Sequence, residues 1–219
     1  MERALRFKTP TLRRAVVVAL RSPYKCFHCE AQFPALQPRC PACDRLVDLP
    51  EGANHFDVLG VPETLSFDPA ALQERFYALS RQTHPDRFAT AGMLDQARAA
   101  RWSTAVNRAY QTLREPLSRA HYVLERHGIA TSDKQVPVEL AEAYFELQEL
   151  AEEGNSRALA DFRRGLDAQL TELDAGLPHA ARAWDTQPEP SQLASIAKKL
   201  TLRRFLESMI RDIEKKQAS

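Results

Sequence analysis

The chain has 219 residues, with 30 basic and 29 acidic side chains and a formal net charge of +1. This length suits two or three small domains rather than one large core, and the balanced charge gives no argument for nucleic-acid binding by the chain as a whole. The longest apolar run, Ala15–Leu20, is far too short to cross a bilayer. Scarce glycine and plentiful Ala, Leu, Glu, Arg and Gln favour a mainly α-helical protein.

Residues 1–22 are predicted to form a basic N-terminal tail. Positions 1–25 contain seven Lys or Arg side chains and a single acid, Glu2. An Arg-rich start without acids is typical of transit peptides, but it also fits a solvated tail or a first strand beside the cysteines that follow. We expect an untargeted, cytoplasmic protein, with the mitochondrial matrix as the alternative.

The four cysteines form two CxxC pairs within residues 23–48. Cys26 and Cys29 make the first pair, and Cys40 and Cys43 follow after ten intervening residues. Each CxxC can place two thiolates on one tight turn, and two such turns make a tetrahedral sulfur site suited to Zn²⁺. A segment of about 25 residues cannot bury enough core to fold unaided, so metal binding would fold it. The sequence therefore predicts a structural zinc knuckle with these four ligands.

Disulfides, a redox pair and a four-cysteine iron site are the alternatives to zinc. Two disulfides are disfavoured because nothing else marks the chain as secreted. A redox pair is disfavoured because neither CxxC opens a strand–helix pattern of the thioredoxin type. A four-cysteine iron site stays open, since spacing does not separate iron from zinc. His28 is expected outside the ligand shell, because four sulfur atoms already complete it.

A helix that ends in a His-Pro-Asp turn is predicted after the linker 49–54. Asp68 suits the N-cap of this helix, whose apolar stripe consists of Leu72, Phe76 and Leu79. The helix is expected to end near Thr83, because Pro85 forces His84 out of the α region and donates no N–H. A stiff turn then presents His84, Pro85 and Asp86. Arg75 and Arg81 lie off the apolar stripe and are predicted to face water.

A second helical pattern, from about Met93 to Arg114, follows the turn. Two helices folded back around a His-Pro-Asp turn resemble the J-domain of DnaJ-type co-chaperones. The stretch HFDVLGVP (55–62) looks like the short first helix of that domain. The stretches HPDRF (84–88) and NRAYQTLREPLSRAHYVLERHG (107–128) resemble one branch, the HscB co-chaperones of iron–sulfur cluster assembly. We therefore interpret residues 53–128 as a J-domain.

This resemblance implies that the turn recruits a DnaK- or HscA-type chaperone and stimulates its ATP hydrolysis. The matching residues are His84, Pro85 and Asp86 as essential groups, with Arg75, Arg81 and Arg87 supplying positive charge. Two or three arginines form a thinner basic face than many J-domains carry, so we expect a modest, salt-sensitive affinity. A J-domain that serves a different client protein is the alternative.

Residues 132–219 are predicted to form a C-terminal three-helix bundle. The first helix begins near Pro137, with Leu140, Tyr144, Leu147 and Ala151 as its expected core stripe. The second runs from Ser156 to Leu173, and breaks are expected at Pro178 and at 188–190. The last helix, Ser191 to about Lys216, carries two apolar faces that do not line up. Either it is interrupted near Thr201 or it has apolar neighbours on two sides.

Phe145 is predicted to project from the first bundle helix beside acidic side chains. An exposed aromatic residue among acids is typical of a binding patch. The resemblance to HscB implies that this helix docks an IscU-type iron–sulfur scaffold. The matching residues are Phe145, Glu146, Glu149 and Glu153, with Phe205 from the last helix. Ala141 and Glu142 depart from the larger aliphatic residues usual in the family, and packing of Phe145 into the protein is the alternative.

The resemblance covers about residues 24–217 and implies a binding protein without chemistry of its own. In this interpretation the bundle holds the scaffold and the His-Pro-Asp turn recruits the chaperone, whose ATP hydrolysis promotes cluster transfer. The sequence shows neither a phosphate loop nor paired catalytic carboxylates, so we expect no enzyme activity. A zinc-ribbon protein that binds nucleic acid through Arg13, Arg14, Arg21 and Lys25 is a distant alternative. The acidic bundle argues against it. Self-association is left open.

Overall fold

The protein is described here from a computed structural model that covers residues 24–131 and 138–218. Two short antiparallel strands precede the helices: β1 (Tyr24–Lys25) and β2 (Gln32–Phe33). The helices are α1 (His55–Leu59), α2 (Pro69–Thr83), α3 (Met93–Arg114), α4 (Pro116–Arg126), α5 (Val138–Glu152), α6 (Ser156–Thr186) and α7 (Pro190–Ala218), with a 3₁₀ turn at Pro85–Phe88. The predicted mainly α fold is confirmed, whereas the basic tail and the predicted helix start at Pro137 lie outside the described residues.

The bounds of α2 follow from local chemistry. The Asp68 side chain accepts a hydrogen bond from the Ala70 N–H at 3.0 Å, and Pro69 occupies the first turn, where its missing N–H has no cost. The helix ends at Thr83, and His84 is already extended, with φ −60° and ψ 128°. The apolar face of α2 packs on α3, where Trp102 is fully buried.

The predicted break at Pro178 is wrong, because α6 continues through it to Thr186. Pro178 lies on the exposed side of the helix. The opposite side packs into a core through four side chains: Leu177, Ala180, Ala181 and Trp184. Burial of these apolar groups outweighs the backbone hydrogen bond that a proline removes. The chain turns instead at residues 187–189, between α6 and α7.

Helix α7 is continuous and joins two hydrophobic cores, which confirms that its two apolar faces have different neighbours. Its first half packs with the helices of the J-like segment through Leu193, Ile196, Ala197 and Leu200. Its second half packs with α5 and α6 through Leu206, Met209, Ile210 and Ile213. The core of residues 53–128 therefore extends into the C-terminal bundle.

A loop of the J-like segment also bonds directly to α6. The carboxylate of Asp185 accepts hydrogen bonds from the backbone N–H groups of Leu65 at 2.6 Å and Ser66 at 2.8 Å. The buried guanidinium of Arg119 donates to the Leu65 carbonyl at 2.9 Å. These bonds satisfy a loop whose backbone has no regular partner. Across the part of the chain that the structure describes, no helix is both long and apolar enough to span a membrane.

Tyr144 does not belong to the core stripe predicted for α5, since 43 % of its surface is exposed. The packed face of this helix contains Leu140, Ala143, Leu147 and Leu150. At about 100° per residue, Tyr144 lies at the edge of that face rather than within it. The prediction failed because sequence spacing alone does not show how far around α5 the contacts with α6 and α7 extend.

Candidate functional site

The His-Pro-Asp turn is presented to solvent at the corner between α2 and α3. The side chains of His84 and Asp86 are 56 % and 89 % exposed. The Asp86 N–H donates to His84 Nδ1 at 3.3 Å, and the Asp86 carboxylate lies 3.5 Å from the same nitrogen. Pro85 fixes the backbone between them, so the imidazole and the carboxylate are held side by side and outward.

Two further contacts hold this corner in place. Arg87 Nη1 donates to the Arg81 carbonyl at the end of α2, at 3.0 Å. Gln96 Nε2 on α3 donates to the carbonyls of Ala89 at 3.2 Å and Ala91 at 2.8 Å, which fixes the loop that follows the turn. Because Arg81 and Arg87 are both exposed, the corner also carries two positive charges that face water.

Arg75 does not face water, which corrects the sequence prediction. Its Nε donates to the Leu59 carbonyl at the end of α1, at 2.7 Å, and the guanidinium lies against Gly60. Burial lowers the pKa of this guanidinium below its ordinary value. Gly60 adopts a left-handed φ of 62°, and a Cβ there would collide with the arginine. Arg75 thus closes the end of α1, a role that separates it from Arg81 and Arg87.

We expect Arg75→Met to lower the free energy of unfolding by about 1.5–3 kcal/mol, the range for a hydrogen bond from a charged donor. Methionine keeps the unbranched apolar stem of the side chain but removes the guanidinium, so the Leu59 carbonyl is left without its donor. Chemical denaturation measures this loss. The matched variant Arg81→Met, at an exposed position, should change stability by no more than about 0.5 kcal/mol; equal losses in both proteins would show that the Leu59 contact is unimportant.

The four cysteine sulfur atoms converge on one point. All four Sγ atoms lie within 4.8 Å of one another, with 3.7 Å between Cys26 and Cys43 and 3.5 Å between Cys29 and Cys40. Zn–S bonds of about 2.3 Å in a tetrahedron separate the sulfur atoms by roughly 3.8 Å. The donor set therefore fits a tetrahedral metal ion, as the spacing predicted.

The two CxxC turns repeat one local geometry. Cys26 and Cys40 each accept a backbone N–H on sulfur at 3.4 Å, from the residue two positions later. Each turn then reverses through a left-handed residue, Glu30 with φ 61° and Asp44 with φ 57°. The Cys29 N–H, working against burial, lowers the pKa of Cys26 to about 7. This hydrogen bond favours the thiolate at Cys26. Against the hydrogen bonds that each sulfur accepts, burial and the neighbouring thiols instead raise the pKa of Cys29 to about 12 and also raise the pKa of Cys43.

His28 stays outside the sulfur cluster. Its side chain is exposed, and Nδ1 lies 3.0 Å from Arg45 Nη1. We define the metal knuckle as residues 24–48, whose small core contains Phe33 and Val47 beside the cysteines. Among the residues that the structure describes, the four cysteines form the group placed to hold a metal ion.

The metal knuckle packs against the first half of α3. Trp102 Nε1 donates to the Val47 carbonyl at 2.7 Å, and Arg98 Nε pairs with the Asp48 carboxylate at 2.7 Å. The Arg98 pair holds the pKa of Asp48 below its ordinary value. A further contact places the Arg39 guanidinium carbon 5.7 Å from the centre of the Phe88 ring. The knuckle therefore contacts both α3 and the 3₁₀ turn that begins in the His-Pro-Asp motif.

An aromatic and acidic surface lies on α5. The sequence predicted its exposed phenylalanine and glutamates but not its tyrosine. Phe145 is 68 % exposed and Tyr144 lies next to it, a residue that sequence reasoning had placed in the core. The predicted acids Glu146, Glu149 and Glu153 are exposed as well. Phe205 is half-buried against the core of α5, α6 and α7, with the Arg204 guanidinium carbon 5.6 Å from its ring centre. We call Tyr144, Phe145 and these three glutamates the α5 patch.

Comparison with known proteins identifies the family. A family model for the DnaJ domain matches residues 54–122. The chain is 32 % identical over 163 residues to a co-chaperone protein HscB homolog of Vibrio cholerae. The aligned residues make up 74 % of this chain and 95 % of the relative. The chain belongs to the HscB co-chaperone family. As a J-domain protein of that family it has an Hsp70-type chaperone as its partner.

A second relative and one solved structure are also similar to this chain. The HscB homolog of Paraburkholderia xenovorans is 38 % identical over 120 residues, which is 55 % of this chain and 69 % of the relative. The crystal structure of human co-chaperone protein HscB superposes with a TM-score of 0.64 at 24 % identity, over 89 % of this chain and 98 % of the human one. The human protein supports the fold alone.

Proposed function

We propose that this HscB co-chaperone stimulates the ATPase of a DnaK/HscA-type chaperone and delivers an IscU-type iron–sulfur scaffold to it. The chaperone's ATP hydrolysis then promotes transfer of the cluster. The observation that carries the proposal is the solvent-facing His-Pro-Asp turn on a J-domain whose core continues into a bundle with an exposed aromatic patch. The chain itself works by binding, and its three working units are 23–48, 53–128 and 132–219.

The chaperone-binding half of the proposal depends on the corner at His84–Asp86. Its imidazole, carboxylate and proline ring are accessible and fixed in one arrangement, so little ordering is needed when a partner binds. Arg81 and Arg87 add positive charge that would steer an acidic surface towards the turn. Arg75 contributes to chaperone binding only indirectly, because its guanidinium donates a hydrogen bond to the end of α1.

The scaffold-binding half depends on the α5 patch. Exposed Tyr and Phe side chains offer apolar area that is lost from water only when a partner covers it. The surrounding glutamates favour a basic partner surface. Phe205 does not join this patch as an exposed side chain; we assign it the role of supporting α5 from within the bundle.

Zinc is the metal we propose for the knuckle. The distances between the sulfur atoms match a tetrahedral Zn²⁺ site, and a closed shell of four thiolates is typical of structural zinc. The ion would fix two turns whose own core is too small to hold them. We propose that the protein works in the cytoplasm.

We expect Phe145→Ala to weaken binding of an IscU-type scaffold by about tenfold, since loss of a buried aromatic contact typically costs 1–2 kcal/mol or more at an interface. Isothermal titration calorimetry with purified scaffold measures this change. Because Phe145 is exposed, the melting temperature should stay the same. Gln169→Ala, at an exposed position of α6, is the matched control. Unchanged affinity of Phe145→Ala would remove the α5 patch from the scaffold site and favour a different client.

A further inference from the structure

Three large apolar side chains lie exposed near the His-Pro-Asp corner without a role in the proposed function. Phe27 at the tip of the first CxxC turn is 78 % exposed, and Met93 and Leu94 at the start of α3 are 87 % and 74 % exposed. We call these three residues the apolar patch. Clustered apolar groups at a surface mark sites where another molecule binds.

The metal knuckle and α3 contribute to the same surface. The Arg98 guanidinium carbon lies 5.9 Å from the centre of the Phe27 ring, so Phe27 sits over α3. Leu94 is one helical turn before Arg98 and shares its face. Met93 is the next residue towards the His-Pro-Asp loop. Knuckle and helix therefore place three apolar groups around one end of α3.

This end of α3 is continuous with the chaperone-binding corner. The loop from the 3₁₀ turn leads directly into Met93, and Gln96 holds that loop against α3. From the other side, the knuckle reaches the 3₁₀ turn through the contact of Arg39 with Phe88. The apolar patch and the His-Pro-Asp turn thus lie on one connected stretch of surface.

The charges around the apolar patch suit the chaperone that is proposed to bind the His-Pro-Asp turn. Arg81 and Arg87 are exposed at the corner, and Arg101 is exposed two turns along α3 from Leu94. The carboxylates beside the patch, Asp48 and Asp95, both pair with Arg98. An apolar centre with a basic rim fits a partner that offers an apolar groove edged by acids. This composition separates the apolar patch from the acidic α5 patch, so the two surfaces suit different molecules.

We propose that the chaperone engaged by the His-Pro-Asp turn also docks on the apolar patch, so that the metal knuckle supplies part of the chaperone-binding site. The proposal rests on the proposed function and extends it from the turn to residues 24–48 and the start of α3. The turn triggers ATP hydrolysis, and the apolar patch adds affinity. A second copy of this chain is the competing occupant.

The test uses two single variants in the full-length protein, Leu94→Ala and Phe27→Ala. We expect each to raise the concentration for half-maximal stimulation of the chaperone ATPase by about tenfold, the effect of losing one well-buried apolar contact. The maximal stimulated rate should be unchanged, because the His-Pro-Asp turn is intact. Elemental analysis confirms that Phe27→Ala keeps its metal. Gln111→Ala, exposed about 25 Å along the same helix, is the control.

Three results would overturn this inference. The first is an unchanged half-maximal concentration in both variants. If His84→Gln, assayed in parallel, gives no stimulation, this result leaves the proposed function intact. Wild-type protein that does not stimulate the chaperone would overturn both proposals. A wild-type dimer in sedimentation experiments that Leu94→Ala dissociates, with chaperone affinity unchanged, would assign the apolar patch to a second copy.

Discussion

The His84→Gln protein is expected to return the ATP turnover of its Hsp70-type partner to the basal rate. Glutamine keeps a polar side chain of similar length, but it lacks the ring that lies beside the Asp86 carboxylate. Because the imidazole is exposed and does not pack in the core, its loss should reduce stimulation of the chaperone ATPase rather than the stability of the protein. Single-turnover ATP hydrolysis, with the chaperone loaded with labelled ATP, measures the effect.

Controls separate this loss from unfolding. The described contacts of the His84 side chain are to Asp86 within the same turn, so we expect an unchanged melting temperature and unchanged metal content. Thr90→Ala, exposed in the loop that follows, should stimulate like wild type. Stimulation by His84→Gln at the wild-type level would remove the functional role of the turn.

The Cys40→Ser protein is expected to lose its metal and the structure of the knuckle. Metal binding supplies about 10–16 kcal/mol to comparable structural sites, whereas the apolar core of the knuckle is a handful of side chains. Cys40 is buried, and its sulfur lies at the centre of the second turn. Elemental analysis under reducing conditions should give one zinc per wild-type chain and none in the variant.

The J-domain itself should survive this substitution, since nearly all of its core comes from α1–α4, α6 and α7, and Leu36 is the one buried side chain that the knuckle adds to it. Trp102 would lose its hydrogen bond to the Val47 carbonyl, which we expect as a shift in tryptophan emission. His28→Ala is the matched control, because His28 lies outside the sulfur cluster and should leave one metal ion bound. A Cys40→Ser protein that retains one equivalent of zinc would contradict the four-cysteine site.

Features specified by neighbouring residues were predictable from sequence. The end of α2 follows from one proline and its beginning from one aspartate, and both effects act within two residues. The metal site follows from cysteine spacing, because each pair of ligands shares a single turn. The two misaligned faces of α7 predicted either an interruption near Thr201 or apolar neighbours on two sides, and the structure has the second arrangement.

Features that depend on distant neighbours were missed. Arg75 is half-buried because the end of α1, sixteen residues earlier, offers it a carbonyl. The helix at Pro178 persists because its opposite side packs into a core shared with the J-domain. Tyr144 is exposed because it lies at the edge of the face of α5 that α6 and α7 cover. A single stripe or a single proline carries no information about these partners.

The role proposed for the whole chain has its most direct test in single-turnover ATP hydrolysis by the chaperone. The assay compares the chaperone alone, with this protein, and with this protein plus an IscU-type scaffold. We expect the protein to accelerate hydrolysis and the scaffold to increase that acceleration further. No acceleration at saturating protein, with or without the scaffold, would contradict the co-chaperone function proposed here.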